Sequence, residues 1–355
     1  MTHPYADLPP RAFWRSAVAE ADRLHFPDLY HPGIAIRPGT SVATAGSCFA
    51  QHIARALRGA GCSVLDAEPP PRAMPADVAA AFGYRLFSGR YGNIYTARQL
   101  RQLLDEIIAG EPDPACVWTR EDGRYLDAFR PTVEPEGLDS ADEVLLHRAY
   151  HLERTSRMLQ QTDVLIFTLG LTEAWEDAAT GRVYPVCPGV AGGEFDPGRH
   201  RFVNFRVGQV VQDLGHIHAA LQRFRAGMQM LLTVSPVPLT ATASGDHVLT
   251  ATSGSKAVLR AAAGEFVADT PGTDYFPSFE LVTNPAAGGP WFDANLRSVS
   301  AAGVARVMDV FLTAQGLTTT APIAGPAAGA EPVEDEEDAA DALICDELLL
   351  EAFRK

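Results

Sequence analysis

Ser47 stands in Ala43-Thr44-Ala45-Gly46-Ser47-Cys48-Phe49-Ala50-Gln51-His52, where an apolar run ends in a glycine and a helical pattern begins directly behind the serine. That order of strand, tight turn, hydroxyl and helix suits acyl transfer, because the unpaired N–H groups of a helix N-terminus stabilise the negative charge that develops when an alkoxide attacks a carbonyl. The hydroxyl is expected in a cleft at the carboxyl edge of a sheet. A serine there also serves as a plain helix N-cap, and the sequence leaves both roles open. Cys48 reads as a small buried hydrophobe. A serine nucleophile needs a proton acceptor of near-neutral pKa, which histidine supplies without special tuning. Of the ten histidines, His247 lies in a loop after an apolar strand pattern, with Asp246 beside it and Gly245 before it, and is the expected base with Asp246 as its carboxylate. His52 reads as packing or capping. His147 with His151, and His216 with His218, read as solvated-face residues, since neither pair has acidic or cysteine partners at metal-ligand spacing. No metal and no cofactor are expected. All but two of the 29 basic residues are arginine, and Lys256, in Ser255-Lys256, is the one lysine ahead of the terminus. Buried, it would be an alternative base in a Ser–Lys pair; a surface lysine is the plainer reading.

The elements that must position these groups are short apolar runs separated by helical patterns. Ser41 to Ala45, Val164 to Leu169 and Met230 to Val234 are near-continuously apolar, as buried parallel strands are. Helical periodicity covers Phe49 to Gly59, Arg98 to Ala109, Ala141 to Gln161, Val207 to Gly227, Ser255 to Ala268 and Ala301 to Ala314. This alternation predicts an α/β fold, a three-layer α/β/α sandwich around a parallel sheet. Residues 66–135 and 176–206 read as long insertions over the sheet edge.

Composition sets the boundaries of the rest. At 355 residues and 46% hydrophobic, the chain can bury a substantial core. The net charge of −15 with no basic patch argues against nucleic acid as a ligand. Five scattered cysteines, none in a Cys-x-x-Cys pair, indicate neither a disulfide framework nor a zinc site, and with no leader-like or bilayer-length apolar stretch the expected location is the cytoplasm. Residues 1–316 are expected to form the folded domain. Residues 317–341, rich in Ala, Pro and Thr and then acidic, read as a flexible linker. Residues 342–355 read as a short amphipathic helix whose face with Leu348 and Phe353 would meet a protein partner.

Gly46-Ser47-Cys48-Phe49-Ala50 resembles the signature of the GSCFA family, a bacterial branch similar to the SGNH (GDSL-like) hydrolases. Further blocks resemble that family in order: Phe13-Trp14-Arg15, Gly92 to Thr96, Thr168 to Trp175, Thr233 to Pro238, Ser255-Lys256 and Tyr275 to Ser278. The resemblance spans about residues 5–315 and implies that Ser47 attacks an ester carbonyl or accepts an acyl group. It implies an oxyanion held by the Ser47 N–H, a glycine N–H and an amide side chain, for which Gly92 and Asn93 are the candidates here. Where the wider superfamily has Gly-x-Asn-Asp, this chain has Gly170-Leu171-Thr172-Glu173, so Thr172 stands in for the amide donor and Glu173 lies beside it. Read as bare residues, Thr172 and Glu173 also suit a helix start, and Gly92-Asn93 a turn. The superfamily's Asp-x-x-His segment is replaced by Asp293 to Ser300, with Asn295 and Ser298 at the acid and base positions. The expected function is thus a serine esterase or O-acyltransferase acting on an acylated small molecule, glycan or lipid-linked sugar. The rival expectation is a catalytically inactive binding or scaffold module that recruits a partner through its tail.

Overall fold

The computed structural model describes residues 3–22, 25–318 and 349–350. In chain order its strands are β1 (Ser41–Gly46), β2 (Ser63–Val64), β3 (Val117–Thr119), β4 (Tyr125–Asp127), β5 (Val164–Leu169), β6 (Glu173–Asp177), β7 (Val183–Tyr184), β8 (His200–Asn204), β9 (Gln229–Val234) and β10 (Thr273–Phe276). The α-helices are α1 (Ala50–Gly59), α2 (Ala76–Ala81), α3 (Ala97–Ala109), α4 (Ala141–Leu159), α5 (Val207–Phe224), α6 (Val248–Asp269), α7 (Ser278–Thr283) and α8 (Ala301–Ala314).

The three apolar runs form the centre of a five-stranded sheet ordered β10-β9-β5-β1-β2, parallel throughout. Successive residues of a strand point to opposite faces, and both faces are covered. Ala43, Leu165, Phe167 and Leu232 pack into a core with α3, α5 and α6, while Val42, Ile166 and Leu231 pack against α1 and α8. The architecture is therefore α/β with helices on both sides of a parallel sheet. From β1 the chain builds first outward to β2 and then back across to β5, so the connection direction reverses between β1 and β5. Ligands of open α/β sheets bind at that switch point, outside the strands' carboxyl ends.

The insertions carry small antiparallel units, a β3–β4 hairpin and a three-stranded sheet ordered β7-β6-β8. Buried charge ties them to the helices. Arg148 of α4 is 2.6 Å from Glu106 of α3 and 3.4 Å from Asp127 of β4, and Arg182 also reaches Glu106 at 2.6 Å. Burial alone would raise both carboxyls, but the guanidiniums outweigh it and hold Glu106 and Asp127 below the usual carboxylate range.

Several expectations require correction. His151 is not on a solvated face: its ring is fully buried, 2.6 Å from Glu68, and burial keeps the imidazole below its ordinary pKa. The helix expected from Ser255 starts two turns earlier at Val248, because packing of Ala251, Ser255 and Leu259 overrides the weak helix formers Thr250, Thr252 and Gly254. Leu317 still packs against the core beside α8. The expected linker from residue 319 to 341 and the expected terminal-helix contacts, Leu348 and Phe353, lie outside the described residues. Among the described residues, no helix is long and apolar enough to cross a membrane.

Candidate functional site

β1 ends in Gly46, whose φ of +139° is one that L side chains rarely adopt. A Cβ there would lie 2.4 Å from the carbonyl oxygen of Thr168 on β5. Only glycine lets the two strands close at this point, and the chain then turns out of the sheet at Ser47. The Ser47 N–H donates to Thr168 O at 3.2 Å, and Ser47 O accepts from Ala50 N at 2.8 Å to open the turn into α1. The N-cap of α1 is Phe49, and no side chain caps it, so Ser47 does not serve as a helix cap.

Ser47 Oγ is buried and has no hydrogen-bond partner among the described residues. This corrects the expectation of an exposed hydroxyl, since Ser47 is only 3% accessible. The reason is close packing: a Cβ on Gly170 would lie 3.0 Å from the Ser47 Cβ and 3.2 Å from Tyr95 O. The Ser47 N–H, expected to hold an oxyanion, is already committed to Thr168.

The 88–95 segment reaches this point by running along the outer edge of β1. Ser88 N donates to Thr44 O at 3.3 Å and Ile94 N to Gly46 O at 2.8 Å, and the Tyr91 hydroxyl also donates to Thr44 O. Asn93 is thereby buried next to the Gly46 contact. Gly92, at φ +66°, faces Arg130, whose Cβ would lie 3.4 Å from a Cβ at position 92, so its role is the left-handed turn that aims Asn93.

Beyond β5, Gly170 and Leu171 both donate to Tyr95 O, at 3.0 and 2.9 Å. Thr172 and Glu173 do not start a helix; they lead into β6. Thr172 N donates to Ser255 Oγ at 3.0 Å, and the fully buried Thr172 Oγ1 has no partner among the described residues. Glu173 is half-buried and accepts from the Thr242 hydroxyl at 2.8 Å. Its carboxyl is raised above the usual range by burial first and by the nearby Asp246 charge, against the Thr242 hydrogen bond.

Lys256 is not at the surface. It is 2% accessible, and its Nζ donates to Gly170 O at 2.7 Å, on the residue packed against Ser47. His247 is the exposed N-cap of α6, with Nδ1 accepting from Leu249 N at 3.2 Å, and Asp246 is exposed beside it. Nine residues of helix at 1.5 Å rise place His247 roughly 13 Å along the axis from Lys256. Ser47, Asn93, Thr172 and Lys256 are thus brought together at the switch point, while His247 and Asp246 sit on the loop that joins Glu173.

Asn295 and Ser298 bond to each other at 2.9 Å inside a tight turn, with Asn295 Oδ1 accepting from Arg297 N and Ser298 N. That pairing stitches the turn shut and presents no base. Unanticipated from the sequence is Gln51, one turn beyond Ser47 on α1. It is buried with both amide atoms lacking partners among the described residues, as are Thr168 Oγ1 and Thr172 Oγ1. Buried polar groups are ordinarily hydrogen-bonded, so this many unsatisfied ones around Ser47 mark a place built to receive polar atoms. Its four-residue spacing from Ser47 was the available signal for Gln51.

No curated protein matches the chain. The model of the GSCFA family matches residues 41–311, from the first residue of β1 into α8, and the chain belongs to the GSCFA family.

Proposed function

We propose that the protein is a serine-dependent acyl-transfer enzyme, an esterase or O-acyltransferase resembling the SGNH hydrolases, with Ser47 as nucleophile. The observation that supports this most is the Ser47 hydroxyl itself: released from capping, buried, without a partner among the described residues, and set at the switch point of the sheet. In the proposed reaction Ser47 Oγ bonds to the ester carbonyl carbon and its proton passes to a neighbouring base. The oxyanion forms beside Asn93, Thr172 and Gln51. Collapse expels the alcohol, which takes up the proton, and leaves an acyl-serine. Water or a sugar hydroxyl then attacks that acyl group and restores Ser47. Placement favours Lys256 as the base, because its amine is held on the residue packed against Ser47, whereas His247 is occupied as a helix cap. The proposed substrate is an acylated small molecule, glycan or lipid-linked sugar.

The 3% accessibility of Ser47 favours a second reading, a binding module of the same fold without turnover. Intact-protein mass spectrometry after incubation with an alkyl fluorophosphonate separates the two. One phosphonyl adduct on the native protein, absent from Ser47→Ala, is the expected result. A folded native protein that never gains mass leaves the binding module.

A further inference from the structure

A cleft of about 710 Å³ opens between β6 and the 239–243 loop, within the size range of small-molecule sites. Its walls are apolar: Leu171, Trp175, Val186, Phe195, Phe202 and Leu239. Glu173 and Thr242, hydrogen-bonded to each other, supply polar atoms among them. Leu171 and Leu239 also belong to a small apolar cluster with Tyr95 and Ala251, and Tyr95 abuts Gly170 next to Ser47. Tyr95 is therefore shared by the apolar cluster at the cleft and the packing around Gly170.

One more residue lines the cleft: Leu350, from the far end of the chain. Thirty residues separate Thr318 from Leu349, a stretch whose extended reach of roughly 100 Å puts no constraint on where the end settles. Leu350 is half-buried while Leu349 before it is exposed, so one aliphatic side chain of the tail is turned into the site. A branched aliphatic group among aromatic and aliphatic walls is what the end of an acyl chain would look like to the same surface.

We propose that this cleft binds the aliphatic chain of the protein's ligand and that Leu350 holds it in the ligand's absence, so that the C-terminal segment and ligand compete. The proposal deepens the acyl-transfer reading by naming an aliphatic acyl group, but the binding it describes needs no reaction at Ser47. An occupant that leaves only a fraction of molecules open weakens ligand binding by that fraction. A single half-buried leucine is readily displaced by a longer chain.

The test uses the full chain carrying Ser47→Ala, so that no chemistry intervenes, with 11-(dansylamino)undecanoic acid as a fluorescent probe. Leu350→Asp should bind the probe about fivefold more tightly or better. Leu349→Asp, the same charge change on the exposed neighbour, should leave the affinity unchanged. Ala241→Trp, an exposed lining position filled by an indole, should weaken binding about tenfold. Equal affinity for Leu350→Asp and the parent overturns self-occupancy, and undiminished binding by Ala241→Trp overturns the cleft as the site. No binding by any variant overturns both. Fluorophosphonate labelling of the native serine enters none of these outcomes, so this proposal and the acyl-transfer reading fail separately.

Discussion

Lys256 meets the surroundings of Ser47 through Gly170, whose carbonyl oxygen accepts from the lysine and which packs against the serine, while the His247 ring completes the first turn of α6. These placements have separable consequences. Lys256→Met should lower the fluorophosphonate labelling rate by about 100-fold or more, the usual worth of a positioned acid–base group. Because residues acting as a unit are not additive, the residual ester turnover of Ser47→Ala with Lys256→Met should be no lower than that of Ser47→Ala alone. His247→Ala should keep labelling within a few-fold of native while removing a helix cap worth about 1 kcal/mol, read as a lower urea midpoint. A His247→Ala protein that is as stable as native but unlabelled would return the base to the histidine. Ser47 was legible in the sequence because its neighbours state its geometry: an apolar strand, a glycine, then a helix. Lys256 was less legible, since a lysine in a helical pattern reads the same whether its amine meets water or the carbonyl of Gly170. His247 invited the opposite reading, because a histidine beside an aspartate resembles a catalytic pair.

The central strands and most helix bodies could be read from periodicity, because burial on both faces leaves β5 and β9 almost wholly apolar, with Thr168, Gln229 and Thr233 the exceptions. β2, β7 and β10 could not, as strands of two to four residues carry too few side chains to show a period, and β6 was hidden by a Thr-Glu pair that also suits a helix start. What holds the insertions was also invisible, since it depends on distant residues meeting: Glu106, Asp127 and Arg148 come from three elements. Arg148→Met should leave two buried carboxylates short of a partner and cost roughly 3–5 kcal/mol by denaturant unfolding. The same groups fix the acid limit. Their folded pKa values lie below the unfolded ones, so their stabilisation is present above about pH 4 and is lost as pH falls through the folded values. His151 adds an earlier loss. Its folded pKa is also depressed, so stability begins to fall as pH drops below about 6.5, the unfolded value. His151→Gln should flatten the decline between about pH 6.5 and 5 while leaving the steeper fall below pH 4. At the site, Gly170→Ala pushes a methyl against Ser47 and Tyr95 O and should cost roughly 1–3 kcal/mol along with most of the labelling.

At the scale of the molecule, the folded body closes on itself where α8 meets the segment before β1. Gln315 is buried, accepting from Ile36 N at 2.9 Å and donating to Ile34 O at 3.1 Å, while Arg37 donates to Gln315 O at 3.1 Å. Ile34 and Ile36 belong to the core beneath α1 and α8, so this glutamine fastens the two ends of the domain together. Leu317, packed on that core with its N–H on Leu312 O, is the next contact along the chain. The family match stops at residue 311, just short of this clasp. Length dependence should follow the clasp and not the end of the family match. A chain ending at Thr318 keeps every one of these contacts and should melt within about 2 °C of the full-length protein, a difference of no more than about 1 kcal/mol at this size. A chain ending at Thr313 loses Gln315 and Leu317 together and leaves Ile36 N and Ile34 O buried without their partner. At about 1–3 kcal/mol for each orphaned group, its melting temperature should fall by roughly 5 °C or more, as read by calorimetry. Equal melting of the two shortened chains would show that the clasp contributes nothing, and an equal large drop in both would place part of the core beyond residue 318.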